Sequence, residues 1–215
     1  MKINTPLFTL QIDFLFVITI MLVFLSSEIR TLLTPFFVCY LFIVFHELSH
    51  MLVASICGKY IDTFSVSIAG VSIHFKQEKY CTLPLKKGRR QALKEVCIYV
   101  AGPISNFLLA FLFYRVPMIF QVNLFLGLLN LLPIYPLDGY HILQHLLRLF
   151  RVPSSHQDIV IAYINYLFFG MLLSFAIIQI LVYHTISIFI FVAYLFVIRM
   201  GQKSEEKLRK KLSLS

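Results

Sequence analysis

The sequence predicts an all-α polytopic membrane protein with about six transmembrane helices. Three observations support this fold class. The 215-residue chain is 59% hydrophobic and only 13% charged, whereas charged residues make up about a quarter of an average soluble domain. The apolar residues are concentrated in runs long enough to span a bilayer. The basic residues fall between and after these runs, as membrane orientation requires.

The apolar runs predict helices at six positions. The first run lacks both a cluster of basic residues and a small-residue cleavage site, so we interpret it as a retained helix and not as a cleavable signal. The last two runs form one long stretch in which only Tyr183, His184 and Thr185 indicate a turn. The predicted helices are 8–27, 32–57, 96–114, 117–134, 158–180 and 184–200.

The charge distribution predicts the orientation of these spans. With six spans and a cytoplasmic N-terminus, seventeen of the nineteen Lys and Arg residues lie in the cytoplasm, and only Arg30 and Arg115 lie outside. Both termini are then cytoplasmic, with a transmembrane domain over 1–203 and a basic tail over 204–215. Because the net charge of +9 follows membrane orientation in this way, no nucleic-acid partner is expected.

The long cytoplasmic loop, 58–95, contains a predicted β-hairpin over 63–76. Apolar residues alternate with serines there, so one face of the hairpin is apolar. This pattern fits either a hairpin that lies on the membrane surface or an edge strand beside an active site. The basic segment 76–94 is predicted to be a solvated connector, and 139–150 a short interfacial helix. With Ala69-Gly70 as the turn, the predicted pairs are Ile68–Val71, Val66–Ile73 and Phe64–Phe75.

Inside the second apolar run stands the motif His46-Glu47-Leu48-Ser49-His50. Histidines at i and i+4 lie on one helix face, so both imidazoles can reach one Zn²⁺ ion. The intervening Glu47 can serve as a general base. Ionisable residues are costly at membrane depth, which favours a functional role for this group.

A second polar motif, Asn-Leu-Leu-Pro-Ile-Tyr-Pro-Leu-Asp-Gly, occupies residues 130–139. It follows the fourth apolar run on the same side of the membrane as the histidines. Asp138 can complete a His₂Asp ligand set with a fourth position left for water, and His141 is the alternative third ligand. Pro133 and Pro136 free backbone groups that water or a substrate strand must satisfy. Asn130 fits either a hydrogen bond between helices or a substrate contact.

Together these motifs resemble the site-2 protease family of intramembrane zinc metalloproteases. The family pairs H-E-x-x-H with N-x-x-P-x-x-P-L-D-G, and a third family element, A-G-P-x-x-N, stands here at 101–106. The resemblance covers about residues 32 to 145. It implies a catalytic core of the three central spans and a membrane-associated hairpin that aligns the substrate. It also implies substrate-backbone contact by Asn130, with Asn106 in support.

Size, six spans and the absence of a PDZ insertion make the chain most similar to the subgroup of the stage IV sporulation protein FB. This similarity implies regulated intramembrane proteolysis of a membrane-associated pro-sigma factor. Many members of the subgroup carry a CBS domain; the sequence ends at Ser215 without one, so ATP sensing is not expected. Ser49 and Tyr140 replace glycines that are common in the family, which leaves the subgroup and the substrate open.

The sequence thus predicts a one-zinc endopeptidase that cuts a protein in or next to its membrane segment. His46, His50 and Asp138 are the predicted metal ligands and Glu47 the predicted base. Asn130, Pro133, Asn106, Val71 and Ile73 are the predicted substrate contacts. The expected partners are a membrane-associated protein substrate and lipid, and a regulatory membrane partner is left open. The alternative function is a non-catalytic zinc-binding membrane scaffold or a metal transporter.

Overall fold

The computed structural model describes residues 2–4, 9–13, 27–59, 61–67, 70–75 and 85–212. The chain divides into two compact units, Met1–Asn130 and Leu131–Ser215. The first unit contains β1 Lys2–Asn4, β2 Thr9–Ile12, α1 Ser27–Ile56, β3 Ile61–Ser67, β4 Gly70–Phe75, α2 Leu85–Leu112 and α3 Pro117–Asn130. The second contains α4 Asp138–Leu149, α5 Ser154–Tyr183 and α6 Ser187–Leu212.

The fold is mostly helical, and several helices have the length and composition of membrane spans. Among the described residues, three segments are long and apolar enough to cross a bilayer: Phe36–Ile56, Gly88–Leu112 and Ser154–Tyr183. Two shorter apolar helices are Pro117–Asn130 and Ile188–Gly201. These five segments correspond to the second to sixth predicted spans, and the total of six spans stays a prediction.

The first predicted span, 8–27, begins too early, because Thr9–Ile12 is a β-strand. Its remainder, 14–26, lies outside the described residues. The four residues Thr-Leu-Gln-Ile alternate polar with apolar, which is a strand pattern that the longer apolar run concealed. The predicted fold class, all-α with one small β-hairpin, is therefore incomplete: the mostly helical fold contains a four-stranded sheet of order β1-β2-β3-β4, of which β3 and β4 fall in the region of the predicted hairpin.

Within the sheet, β1 pairs antiparallel with β2, β2 pairs parallel with β3, and β3 pairs antiparallel with β4. The predicted register of the last pair is wrong. Val66 pairs with Val71 and Phe64 with Ile73, and Gly70 is a strand residue paired with Ser67, not part of the turn. The predicted register differs by two residues, which leaves the alternation of faces unchanged. The apolar pattern therefore could not distinguish the two registers.

Helix α2 starts at Leu85, although the sequence suggested a connector over 76–94 and a helix from residue 96. Residues 76–84 lie outside the described part, and 85–94 are helical. Their charge suggested a loop, but Lys, Arg, Gln, Ala and Leu are all good helix formers.

Two contacts hold the N-terminal part of α2 to the C-terminal end of α1. The ammonium of Lys94 donates to the carbonyl of Cys57 (2.7 Å), and Lys59 forms an ion pair with the buried Glu95 (2.5 Å).

In the first unit, α2 packs against both α1 and α3. Small residues are buried along these helices, which lets the backbones approach closely, as in membrane bundles generally. Large apolar side chains are exposed elsewhere on the same helices, where lipid would cover them. The buried small residues are Ala54, Ala92, Gly102, Ala110 and Gly127, and the exposed side chains include Leu52, Leu108 and Phe111.

In the second unit, α5 packs against both α4 and α6. The break between α5 and α6 falls at His184, whose φ of 54° is left-handed, so the predicted turn at residues 183–185 lies at the observed boundary. The guanidinium of Arg199 lies over the ring of Tyr166, 4.2 Å from its centre, and joins α5 to α6. Helix α6 continues through most of the basic tail.

Candidate metal centre

His46 and His50 lie one turn apart on α1, and both are buried. Their Nε2 atoms are 3.1 Å apart, and their rings are close to perpendicular. Two zinc–nitrogen bonds of about 2.0–2.1 Å in tetrahedral geometry place their nitrogens about 3.3 Å apart. The observed separation therefore fits two imidazoles that share one ion through Nε2.

The ring of His50 is held by the backbone of α2. Its Nδ1 lies 2.6 Å from the carbonyl oxygen of Ile98, and its ring packs edge-on against Tyr99. A proton on Nδ1 that is donated to this carbonyl leaves Nε2 as the metal-binding atom. Metal-bound histidines generally use their second nitrogen in this way, which fixes both the tautomer and the ring orientation.

Gly102 brings the backbone of α2 directly against both imidazoles. A Cβ atom at this position would lie 2.6 Å from Cε1 and from Nε2 of His46, and it would also overlap Nε2 of His50. Any larger residue would have to displace the two nitrogens that face each other. The glycine is followed by the fully buried Pro103, which leaves this turn of α2 without one backbone N–H donor.

The structure brings three of the sequence-predicted ligands together. His46, His50 and Asp138 each offer one ligand atom, and these atoms lie within 4.8 Å of one another. In the part of the chain that the structure describes, this group contains Asp138 and not the alternative ligand His141. Glu47 is half-buried on α1. Two imidazoles and a carboxylate are a donor set that zinc accepts, with a position left for water.

Asp138 is positioned by the proline-containing segment that precedes it. It is the first residue of α4. A Cβ atom on the following Gly139 would overlap the carbonyl group of Leu131, because the segment folds back on the start of the helix. The amide Nδ2 of the buried Asn165 on α5 donates to the carbonyl of Pro133 (3.3 Å) and supports the segment from the other side.

The other sequence-predicted residues lie in different surroundings. Asn130 is the last residue of α3 and is half-buried, as is Pro133 in the second unit. Asn106 on α2 is completely buried. Val71 and Ile73 lie on β4, of which only the backbone is described. Their roles as substrate contacts stay predictions.

The structure also points to residues that the sequence analysis did not single out. Ile98 acts through its backbone carbonyl, which no side-chain pattern reveals. Gly102 is part of the A-G-P-x-x-N element, but its position against two imidazoles depends on how α1 and α2 pack. Asn123 and Asn165 are buried amides in apolar helices. For Asn123 and Asn165, the sequence signal that could have indicated a role is a polar residue inside a long apolar run.

The comparisons with known proteins agree with this geometry. The model of peptidase family M50 matches residues 35–121 and 115–175. The chain belongs to peptidase family M50. This membership confirms the family resemblance seen in the motifs, and M50 peptidases are zinc metalloproteases.

A solved structure shares the fold of this M50 peptidase. The site-2 protease from Methanocaldococcus jannaschii matches with a TM-score of 0.58 and 19% sequence identity, and the match covers 92% of each chain. No curated protein matches. The likeness therefore extends over nearly the whole chain at the level of the fold.

Gly102→Ala tests whether the close approach of α2 shapes the metal centre. In an ordinary helix this change would stabilise the protein by about 0.5–1 kcal/mol. Here the methyl group would push the imidazoles apart, and we expect zinc binding to weaken by at least about tenfold. Zinc affinity of the purified protein is the measurement. Gly88→Ala on the same helix is the control, because no atom lies within 4 Å of its added Cβ. Equal zinc affinity in both variants would contradict the proposed constraint.

Proposed function

We propose that the chain is an intramembrane zinc endopeptidase that hydrolyses a peptide bond in or next to a membrane segment of a protein substrate. The observation that carries the proposal is the group of His46, His50 and Asp138 in a chain of the M50 family. The 3.1 Å separation of the two Nε2 atoms supports binding of one ion. His46 and His50 lie on one of the apolar helices of membrane length, Phe36–Ile56.

The proposed chemistry divides between the ion and the protein. A bound zinc ion would supply Lewis acidity toward the scissile carbonyl and a water molecule. His46, His50 and Asp138 would hold the ion, and the backbone carbonyl of Ile98 orients His50. Glu47 accepts the proton of the attacking water and delivers it to the leaving amine.

Substrate binding is proposed to use the free edge of the sheet. Of the four strands, β2 and β3 each have two partners, whereas β4 has a described partner on one side only. β4 also contacts α1, the helix that carries the histidines. An extended substrate can add to such an edge through backbone hydrogen bonds, which satisfies the polar groups freed when a membrane helix unwinds. We assign this pairing to the stretch around Val71 and Ile73.

Two further substrate contacts are proposed in the second motif. The amide of Asn130 and the backbone around Pro133 are suited to hydrogen-bond an extended peptide. Asn106 was predicted to support them. Because Asn106 is completely buried, a direct contact with substrate fits it less well than a contact with a neighbouring side chain.

The proposed membrane arrangement has six spans, with the active site toward the cytoplasmic side and both termini in the cytoplasm. The support is the charge distribution, which leaves only Arg30 and Arg115 outside. Residues 1–203 would form the protease domain and 204–215 the basic tail. Lipid contacts the exposed apolar faces, and a regulatory membrane protein is a further proposed partner.

For the substrate we propose a membrane-associated pro-sigma factor, as in the stage IV sporulation protein FB subgroup that the motifs resemble. Co-expression of the chain with candidate pro-sigma factors, read as a size shift on a gel, tests this choice. Absence of processing for every candidate would exclude this substrate class. It would leave the peptidase proposal to be tested on other membrane proteins.

Glu47→Gln distinguishes a peptidase from a zinc-binding scaffold or transporter. The amide keeps the shape of the side chain but cannot accept the proton. Zinc binding should persist while proteolysis of a processed substrate falls by about 10²–10⁴-fold. Cleavage rate and zinc content are measured on the same preparation, with Glu47→Asp as a variant that retains a carboxylate. Near-normal cleavage by Glu47→Gln would refute the proposed mechanism.

Asp138→Asn and His141→Ala test the third ligand. The neutral amide is a poorer ligand than the carboxylate, so Asp138→Asn should lose most of its zinc and its activity. His141→Ala should retain both, since His141 stands outside the three-residue group. Metal analysis of the two purified variants decides between the residues. Zinc loss in His141→Ala together with retention in Asp138→Asn would reverse the assignment.

Val71→Pro and Ile73→Pro test the free edge of β4. Each change removes one backbone donor and distorts the strand. We expect normal expression and zinc content but at least tenfold slower cleavage, on the order of the loss when substrate positioning fails. Ile73→Val keeps the backbone donor and should cleave normally.

Crosslinking provides a second measurement of the same prediction. Single cysteines at residues 71–75, in the inactive Glu47→Gln background, should crosslink to cysteines near the cleavage site of the substrate. Normal cleavage by both proline variants and a lack of crosslinks would show that the substrate binds elsewhere.

A further inference from the structure

Asn106 is an isolated polar group in the interior of the first unit. Its exposed fraction is 0%, and neither its Nδ2 nor its Oδ1 has a hydrogen-bond partner in the structure. Burial of an amide in an apolar interior without hydrogen-bond partners is unfavourable, because the group loses its hydrogen bonds to water. Such a group calls for an explanation, and one explanation is a partner that it acquires in another state of the protein.

The position of Asn106 on α2 relates it to the histidine pair. Ile98, Gly102 and Asn106 are spaced by four residues and lie on one face of the helix. Ile98 contacts His50 through its carbonyl, and Gly102 lies against both imidazoles. Asn106 is the next position on this face, one turn beyond Gly102 and two turns beyond Ile98. It therefore lies on the side of the histidine pair where His46 is found.

The directions of the two side chains bring them closer. Helices α1 and α2 run antiparallel, because Glu95 pairs with Lys59 while Gly102, later in α2, faces His46, earlier in α1. Side chains on a helix lean toward its N-terminus. Asn106 thus leans back toward Gly102, and His46 leans toward the level of α1 that faces Asn106. The two side chains therefore lean toward the same level of the α1–α2 interface.

We propose that Asn106 is the positioning residue of His46: its Oδ1 accepts a hydrogen bond from the Nδ1–H of His46 when the metal is bound. This inference rests on the proposed metal centre and adds to it. Ile98 would then orient one histidine and Asn106 the other, both from the same face of α2. Each would fix Nδ1 as the protonated nitrogen and leave Nε2 for the ion.

Zinc affinity is the measurement that tests the role of Asn106. The dissociation constant is determined on the full-length protein in detergent by competition with a fluorescent zinc chelator, independently of proteolysis. Asn106→Leu keeps the volume of the side chain but has no acceptor, and loss of such an outer partner weakens zinc binding by about 10–100-fold. Asn123→Leu is the matched control. Asn123 is also 0% exposed with an unpartnered Oδ1, but it lies on α3 and donates to the carbonyl of Ile119.

We expect the dissociation constant to rise by about 10–100-fold in Asn106→Leu and by less than about threefold in Asn123→Leu. An Asn106→Leu protein that binds zinc as tightly as the wild type overturns the inference, as does an equal loss in both variants. If Asn106→Leu does not fold, Asn106→Asp replaces it. Its carboxylate retains the acceptor, so zinc binding at least as tight as wild type is expected, and a tenfold weaker constant overturns the inference. A wild-type protein that binds no zinc would refute the metal centre itself.

Discussion

The close approach of the α2 backbone to His46 and His50 is the constraint on which the candidate metal centre depends. At Gly102 there is no room for even a methyl group. One turn earlier, the carbonyl of Ile98 is 2.6 Å from the ring of His50. The first contact limits where both imidazoles can lie, and the second leaves Nε2 of His50 as the nitrogen that faces His46. The ion pair of Lys59 with Glu95 and the bond from Lys94 to the end of α1 lie next along the same interface, so they hold the helices at this separation.

Polar side chains along the apolar helices fall into two groups. Hydroxyl groups bond within their own helix: Ser49 donates to the carbonyl of Phe45 and Ser105 to that of Gly102. These hydroxyl groups are hydrogen-bonded within their own helix and need no partner on a neighbouring helix. The buried amides of Asn106, Asn123 and Asn165 differ, because each has at least one buried atom without a partner. In a membrane-length helix an amide of this kind either joins helices or serves the site.

Much of the centre could be predicted from the sequence because its signals are local. The spacing of His46 and His50 places both on one helix face, and the P-L-D-G element carries the carboxylate that the structure groups with them. Most helices follow from the long apolar runs, and the break at His184 falls where three polar or aromatic residues interrupt them. Family membership followed from the combination of motifs, none of which is specific alone.

What the sequence could not reveal depends on contacts between distant segments. The pairing of β2 with β3 joins residues more than fifty positions apart, and the short Thr9–Ile12 strand merges with the apolar run that follows it. The predicted register of β3 with β4 was wrong, because a shift of two residues preserves the alternation of apolar and polar side chains. The helical start of α2 was missed because charge alone does not separate a loop from a helix. The role of Gly102 depends on how α1 and α2 pack, which no local sequence pattern specifies.

The parallel pairing of β2 with β3 has a consequence for how the protein is made. Parallel neighbours need a long crossover connection, and here the connection contains the whole of α1. The β3–β4 pair is local and can close within microseconds of its synthesis. The contact of β2 with β3 cannot form until the segment that becomes the histidine-bearing helix has been synthesised between them. The sheet is therefore completed only after this helix segment has emerged, although β1–β2 and β3–β4 can each pair locally before that.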